Sequence, residues 1–161
     1  MYSCKEHEEG EGVTQDQFTN IQHGLCHYVA EPRFVARRGK EPINPLNGYG
    51  AKANDSATWG TLEQALAAVD KYKLDGIGIE LGAGLCGLDL DHCVDEQEQI
   101  SERAQEIINM MDSYTEISPS GTGIHILFSG NIPEGTRRKD GIEMYSEGRY
   151  FTVTGNMYEL E

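Results

Sequence analysis

Three segments of the chain alternate apolar and ionisable side chains with a period of two, the pattern of strands that bury one face. They are Leu88-Asp89-Leu90-Asp91, Ile124-His125-Ile126 and Ile142-Glu143-Met144. In each, alternation sends the apolar residues to one side and the acid or imidazole to the other. Elsewhere the period is helical. Thr61 with Gln64 three residues on is a capping-box start. Leu62, Ala65, Leu66 and Val69 then fall at i, i+3, i+4 and i+7, predicting a helix that fades near Tyr72. From Asp95 to Met111, a stripe of Ile100, Ala104, Ile107, Ile108 and Met111 predicts a second helix. Its acidic first turn (Asp95, Glu96, Glu98) suits the helix dipole.

Further strands are expected at Tyr114 to Ile117 and Ile124 to Phe128. Leu25 to Val35, interrupted by Glu31-Pro32, predicts two short strands joined by a turn. Gly76 to Leu81 and Leu85 to Asp91 predict a hairpin about Gly82-Ala83-Gly84, and Gly141 to Tyr145 with Arg149 to Thr154 a last strand pair. Gly39 to Asp55, rich in Gly, Pro and Asn, is predicted as a loop, long enough to imply function or disorder. Gly130 to Asp140 is predicted as a basic loop, and no internal repeat is visible. This order of elements predicts an α+β domain, a mostly antiparallel sheet with flanking helices. Residues 1–16 are polar and acidic and are expected to be a disordered or loosely attached arm. Residues 17–161 then make the core, with 17–75 as a small N-terminal αβ subdomain and 76–156 as the motif-bearing sheet.

Composition narrows the function. A chain of 161 residues, 38% hydrophobic and 25% charged, is one domain with a real core. No apolar run reaches the ~18 residues of a membrane span, and the first residues lack the apolar centre of a signal peptide. A cytoplasmic location without membrane contact is expected. Cysteines at 4, 26, 86 and 93 form no dense framework, so reduced thiols are expected. Cys4-x-x-His7 and His23-x-x-Cys26 have zinc-ligand spacing, but the segment between them carries no other zinc-ribbon feature. The net charge of −14 argues against gripping nucleic acid with the whole surface. Distribution softens that conclusion, because the basic residues cluster at Arg33/Arg37/Arg38/Lys40 and Arg137/Arg138/Lys139. Such loops suit a phosphate-bearing ligand, or are simply solvated.

The candidate chemistry begins at Asp89 and Asp91. On a strand they lie side by side, roughly 6–7 Å apart, and two like charges so close repel. They are either exposed aspartates at a strand end or the ligands of a divalent cation. If the three alternating strands are neighbours, Asp89, Asp91, His125 and Glu143 share a face, and three carboxylates make an oxygen-rich site for Mg2+ or Mn2+. The loop Ser118-Pro119-Ser120-Gly121-Thr122-Gly123 offers small side chains and free backbone N–H groups to a phosphate. Arg137, Arg138, Lys139 and Arg149 supply positive charge. Together these are the parts of two-metal phosphoryl transfer.

The motif series is specific in combination. Gly-Leu-Asp89-Leu-Asp91-His-Cys, Ser118-Pro-Ser-Gly-Thr-Gly-Ile-His125, Gly-Ile-Glu143-Met-Tyr and Arg149-Tyr-Phe-Thr-Val-Thr-Gly155-Asn156 follow one another in this order. The series resembles the archaeo-eukaryotic primase superfamily, specifically the primase-polymerase domain of phage and plasmid replication proteins. Lys40-Glu-Pro-Ile-Asn-Pro45, Lys52 and Ser56-Ala-Thr-Trp59-Gly-Thr resemble that family's N-terminal subdomain. The likeness covers roughly residues 20–156. It implies an RRM-like catalytic sheet and template-directed nucleotidyl transfer from a (d)NTP, with two Mg2+ or Mn2+ ions on Asp89, Asp91 and Glu143. It further implies that His125 contacts the incoming nucleotide's phosphates. Nucleotide binding is expected to extend to Lys52, Ser118, Ser120, Gly121, Gly123, Arg137, Arg138, Lys139 and Arg149. The implied partners are a single-stranded or primed DNA template and a replicative helicase domain or protein. The third acid is Glu where many relatives carry Asp, and relatives commonly continue into a helical segment and a helicase. The chain is accordingly expected to be either a shortened piece or a stand-alone core. Two other functions fit the same residues: a non-catalytic module binding nucleotide or single-stranded DNA in replication, and a metal-dependent nuclease.

Overall fold

Two threonines start the first two helices in the same way. Thr14 and Thr61 accept the amides of Gln17 and Gln64 at 3.2 and 3.3 Å, and each glutamine side chain accepts its threonine's amide at 2.9 Å. These capping boxes open α1 (Gln15–Gly24) and α2 (Leu62–Tyr72) in the computed structural model, which describes residues 13–133 and 137–158. Helix α1 departs from the expectation of an arm followed by two strands. Ile21 is its one buried residue, too thin a stripe to register as a helical period. Residues 1–12, with Cys4 and His7, lie outside the described residues.

Helix α3 (Glu102–Met111) starts later than the apolar stripe predicted, at a Ser101 cap whose hydroxyl accepts the Ala104 amide at 3.2 Å. Asp95 folds the preceding residues into a turn instead. Its Oδ1 accepts the amides of Gln97 and Gln99 at 2.9 and 2.8 Å, and Ile100 bridges back to Val94.

The strands are β1 (Phe34–Arg38), β2 (Glu41–Ile43), β3 (Gly76–Glu80), β4 (Leu85–Leu90), β5 (Tyr114–Ile117), β6 (Ile124–Ser129), β7 (Arg138–Lys139), β8 (Ile142–Tyr145) and β9 (Tyr150–Val153). They form two antiparallel sheets rather than one, ordered β2-β1-β3-β9 and β5-β6-β4-β8-β7. The class is therefore α+β, with three α-helices among the described residues.

Two expected hairpins are instead crossings between sheets. β3 is buried along its length and has β1 and β9 on its two edges, so β4 cannot join it. Gly82-Ala83-Gly84 carries the chain to the other sheet, leaving only a Gly82–Leu85 bridge. Likewise β8 pairs with β4 while β9 pairs with β3. Alternation reveals which face a strand buries but not which neighbour it takes. Two strands also fall inside expected loops. β2 places Pro42 on a sheet edge, where its missing N–H does no harm, and β7 lies within the basic stretch. The rest of the long loop is tied by its own bonds, among them Trp59 Nε1 to the Lys52 carbonyl at 2.8 Å.

Two apolar cores result. Ile21, Phe34, Leu62, Ala65, Ile77 and Ile79 join α1, α2 and the four-stranded sheet, and Leu85, Tyr114 and Leu127 of the other sheet reach into them. Leu88, Leu90, Ile124 and Ile126 pack with Val94, Ala104 and Ile108 beneath α3. The five-stranded sheet is thus buried on one face by α3 and partly on the other by β9. Among the described residues no helix is long and apolar enough to cross a membrane.

Candidate active site

The α3 core takes Leu88 and Leu90 of β4, Ile124 and Ile126 of β6 and Ile142 of β8, so period two turns Asp89, His125 and Glu143 to the opposite face. The registers align them. Asp89 faces His125 on β6 and Glu143 on β8; His125 faces Glu116 on β5, and Glu143 faces Arg138 on β7. One row, Glu116–His125–Asp89–Glu143–Arg138, therefore runs across all five strands. Asp91 follows β4 in an exposed turn, its amide donating to the Gly141 carbonyl at 2.9 Å.

Contacts within the row are polar and mixed in charge. His125 Nε2 is 3.5 Å from Asp89 Oδ1. Its Nδ1 stands 3.4 Å from both the carbonyl and the hydroxyl of Thr152 on β9, and its ring lies 5.0 Å from that of Phe151. Arg138 Nε donates to Glu143 Oε1 at 2.8 Å, and the Tyr145 hydroxyl donates to Glu143 Oε2. Arg149 Nη1 donates to the Tyr145 hydroxyl at 3.1 Å, its guanidinium 4.3 Å above the ring centre. Phe151 can lie against the row because residue 87 is glycine: a Cβ there would come within 2.6 Å of its ring.

Burial and neighbours set the protonation states. Burial first, then the charges of Asp91 and Glu143, push Asp89 up to about 6, with Arg149 and Lys40 opposing. Glu143 moves the other way, held down first by the Tyr145 hydroxyl and then by Arg138 and Arg149. Burial lowers His125, against the Thr152 carbonyl and Asp91. At the inner end of the row, burial pushes Glu116 up to about 7 despite the donors that surround it.

A divalent cation suits this donor set. Asp89 carries an electrostatic penalty from two neighbouring acids that a cation would relieve. Among the described residues no three His, Cys, Asp or Glu side chains converge closely enough to enclose an ion as they stand. Glu143 is turned to Arg138 and Tyr145. Drawing it to Asp89 and Asp91 requires exchanging those partners for the ion.

The other expected residues divide. In the Ser118–Gly123 loop the amides of Gly121, Thr122 and Gly123 are engaged: Gly121 donates to the Ser118 carbonyl, Gly123 to the Ser118 hydroxyl, and Thr122 to the Ser120 hydroxyl. What the loop presents is a chain of hydroxyls, Ser118 to Ser120 at 3.0 Å and Ser120 to Thr122 at 2.9 Å. Arg149 and Arg138 act on the row directly. Lys139 is exposed on β7, Arg137 accepts the Met144 amide through its carbonyl, and Lys52 is bound through its backbone into the loop ending at Trp59. Among the described residues none of these three makes a side-chain hydrogen bond or ion pair with the row. Glu116 was not singled out in the sequence, and Tyr145, Thr152 and Lys40 stood there only within longer motifs or a basic cluster, with no role of their own. Glu116 carried the same signal as the others, an acid among strand formers; Tyr145, two residues past Glu143, shares its face. Lys40 reaches Asp89 electrostatically only through the fold.

No family model matches the chain. It is 38% identical over 132 residues, 76% of its length, to a DNA primase-polymerase of Nitratiruptor phage NrS-1. The matched part spans 18% of that phage protein.

Proposed function

We propose, from its homology with a phage DNA primase-polymerase, that the chain is a catalytic core for template-directed nucleotidyl transfer in phage or plasmid DNA replication. The 3′-hydroxyl of a primer, or of a first nucleotide, attacks the α-phosphate of a bound (d)NTP; the new phosphodiester bond forms as pyrophosphate leaves. Asp89, Asp91 and Glu143 are the proposed ligands of two Mg2+ or Mn2+ ions. Bound there, the ions would supply the positive charge that such a displacement needs at its attacking and leaving oxygens. His125, protonated as the phosphates' negative charge approaches, donates Nε2–H to them while Thr152 accepts from Nδ1–H. Arg149 and Lys40 add positive charge beside Asp89, and Arg138 lies next to Glu143. The hydroxyls of Ser118 and Ser120 and the small Gly121 and Gly123 let phosphate approach on the β6 side, with Arg137, Lys139 and Lys52 further out.

The proposed fold is the archaeo-eukaryotic primase one, with the five-stranded sheet as its RRM-like catalytic sheet. Residues 17–161 form the proposed core, and the N-terminal part, 17–75, lends β1 and β2 to the sheet that β3 and β9 complete. The proposed partners are single-stranded or primed DNA and a replicative helicase.

One observation carries this reading: the register that sets Asp89 between His125 and Glu143 in a homologue of a primase-polymerase. It is tested with labelled dNTP or NTP on primed and unprimed template, with Mg2+ or Mn2+. Lengthened labelled product supports it. Template breakdown without added nucleotide would mark a nuclease, and metal-independent single-strand binding without incorporation a binding module.

A further inference from the structure

Glu116 has no exposed surface, yet three donors converge on it. The Thr154 amide donates at 3.0 Å, the Gly155 amide at 3.1 Å and the Tyr114 hydroxyl at 2.9 Å. Two of the three come from the stretch that follows β9. A carboxylate of the five-stranded sheet thus holds the end of a strand in the four-stranded sheet. The Thr154 hydroxyl adds a bond to the Ile117 carbonyl at 3.1 Å.

Two residues before that clamp, Thr152 presents its carbonyl and hydroxyl to His125 Nδ1. Phe151, the next residue back, lies on the imidazole ring. Glu116 and His125 are themselves cross-strand partners. The imidazole is therefore bounded by elements that Glu116 fastens together. A carbonyl only accepts, so Nδ1 carries the proton when it bonds to Thr152 O, and the Nε2 edge stays turned toward Asp89. An ionised carboxylate suits the clamp because it is acceptor-only; a glutamine would set an N–H against one of the three donors.

We propose that Glu116 is a positioning residue for His125: its hold on Thr154 and Gly155 fixes the strand end from which Thr152 orients the imidazole. The functional consequence, an Nε2 edge that donates to nucleotide phosphate once the incoming negative charge protonates the ring, rests on the nucleotidyl-transfer reading. The orientation of the ring does not.

The test compares the parent protein with Glu116→Gln, Thr152→Val and the double variant. The first readout is the 15N spectrum of the His125 ring in metal-free protein near pH 8, assigned with His125→Asn. The second is KM against kcat for the nucleotide in primer extension. The parent is expected to show the Nδ1–H tautomer, and each single variant a mixture. Nucleotide KM is expected to rise about tenfold with a much smaller change in kcat. The double variant should be little worse than either single one, as for residues acting in one chain of contacts. A folded Glu116→Gln protein with the parental ring spectrum overturns the proposal. Should that variant fail to fold, Tyr114→Phe removes one donor from the clamp; a shifted ring spectrum then supports the proposal and a parental one overturns it. If the ring spectra shift but the parent itself incorporates no nucleotide, the positioning role stands and the nucleotidyl-transfer reading fails.

Discussion

Asp89 and His125 face one another across the β4–β6 pair, Oδ1 and Nε2 3.5 Å apart, and burial drives both toward their neutral forms. Ordinarily such a pair would be an ion pair. Here Asp89 is pushed up to about 6 while His125 is pushed down, so neither charge is well supported by the other. The carboxylate is poised for a stronger cation than imidazolium.

Metal binding should therefore depend on pH. A cation binds the deprotonated carboxylate, so below about 6 it must displace a proton from Asp89 and its apparent affinity falls; above that value the affinity levels off. Mn2+ titrations followed by electron paramagnetic resonance between about pH 5 and 8 should show this rise and plateau. An affinity unchanged across that range would argue against Asp89 as a ligand.

Glu80 offers a stability prediction away from the row. Both its carboxylate oxygens are buried without a hydrogen-bond partner among the described residues, and burial pushes it from 4.5 up to about 7. A raised carboxyl binds its proton more tightly in the folded state, so folding loses stability as pH climbs from about 4.5 to 7 and the full penalty applies above. Glu80→Gln removes that charge. It should stabilise the protein by about 1–3 kcal/mol near pH 8 and by much less near pH 5. Denaturant melts at the two values measure the difference; an equal effect at both would contradict the assignment.

Gly87→Ala should be destabilising by about 1–3 kcal/mol, since its Cβ would press into the Phe151 ring that also packs on His125. For a domain of this size that is a fall in Tm of about 2–4 °C per kcal/mol. A variant melting with the parent would mean that Phe151 moves aside freely.

How much of this was legible in the sequence depended on whether the signal was local. The Thr61–Gln64 box and the helix behind it need only residues within one turn, and the structure has both as expected. The alternation at Asp89, His125 and Glu143 fixed which face each would take, and the α3 core explains why. Partner choice was not local. Nothing within Gly76 to Leu90 says that β3 is enclosed by β1 and β9, so two consecutive strands read as a hairpin. The same gap hid Thr152, which meets His125 only because β9 belongs to the other sheet. Helix α1 was missed for a different reason: its capping box was present in Thr14 and Gln17, but only Ile21 is buried.

Primer extension by the parent, Asp89→Ala and Glu143→Ala tests the central claim most directly, with circular dichroism showing that all three are folded. The parent should extend a labelled primer with Mg2+ or Mn2+. Each variant should lose more than the roughly 100-fold that follows loss of an outer-shell partner at a metal site. Extension by folded Asp89→Ala and Glu143→Ala at the parental rate would contradict the assignment of this row as the catalytic metal site.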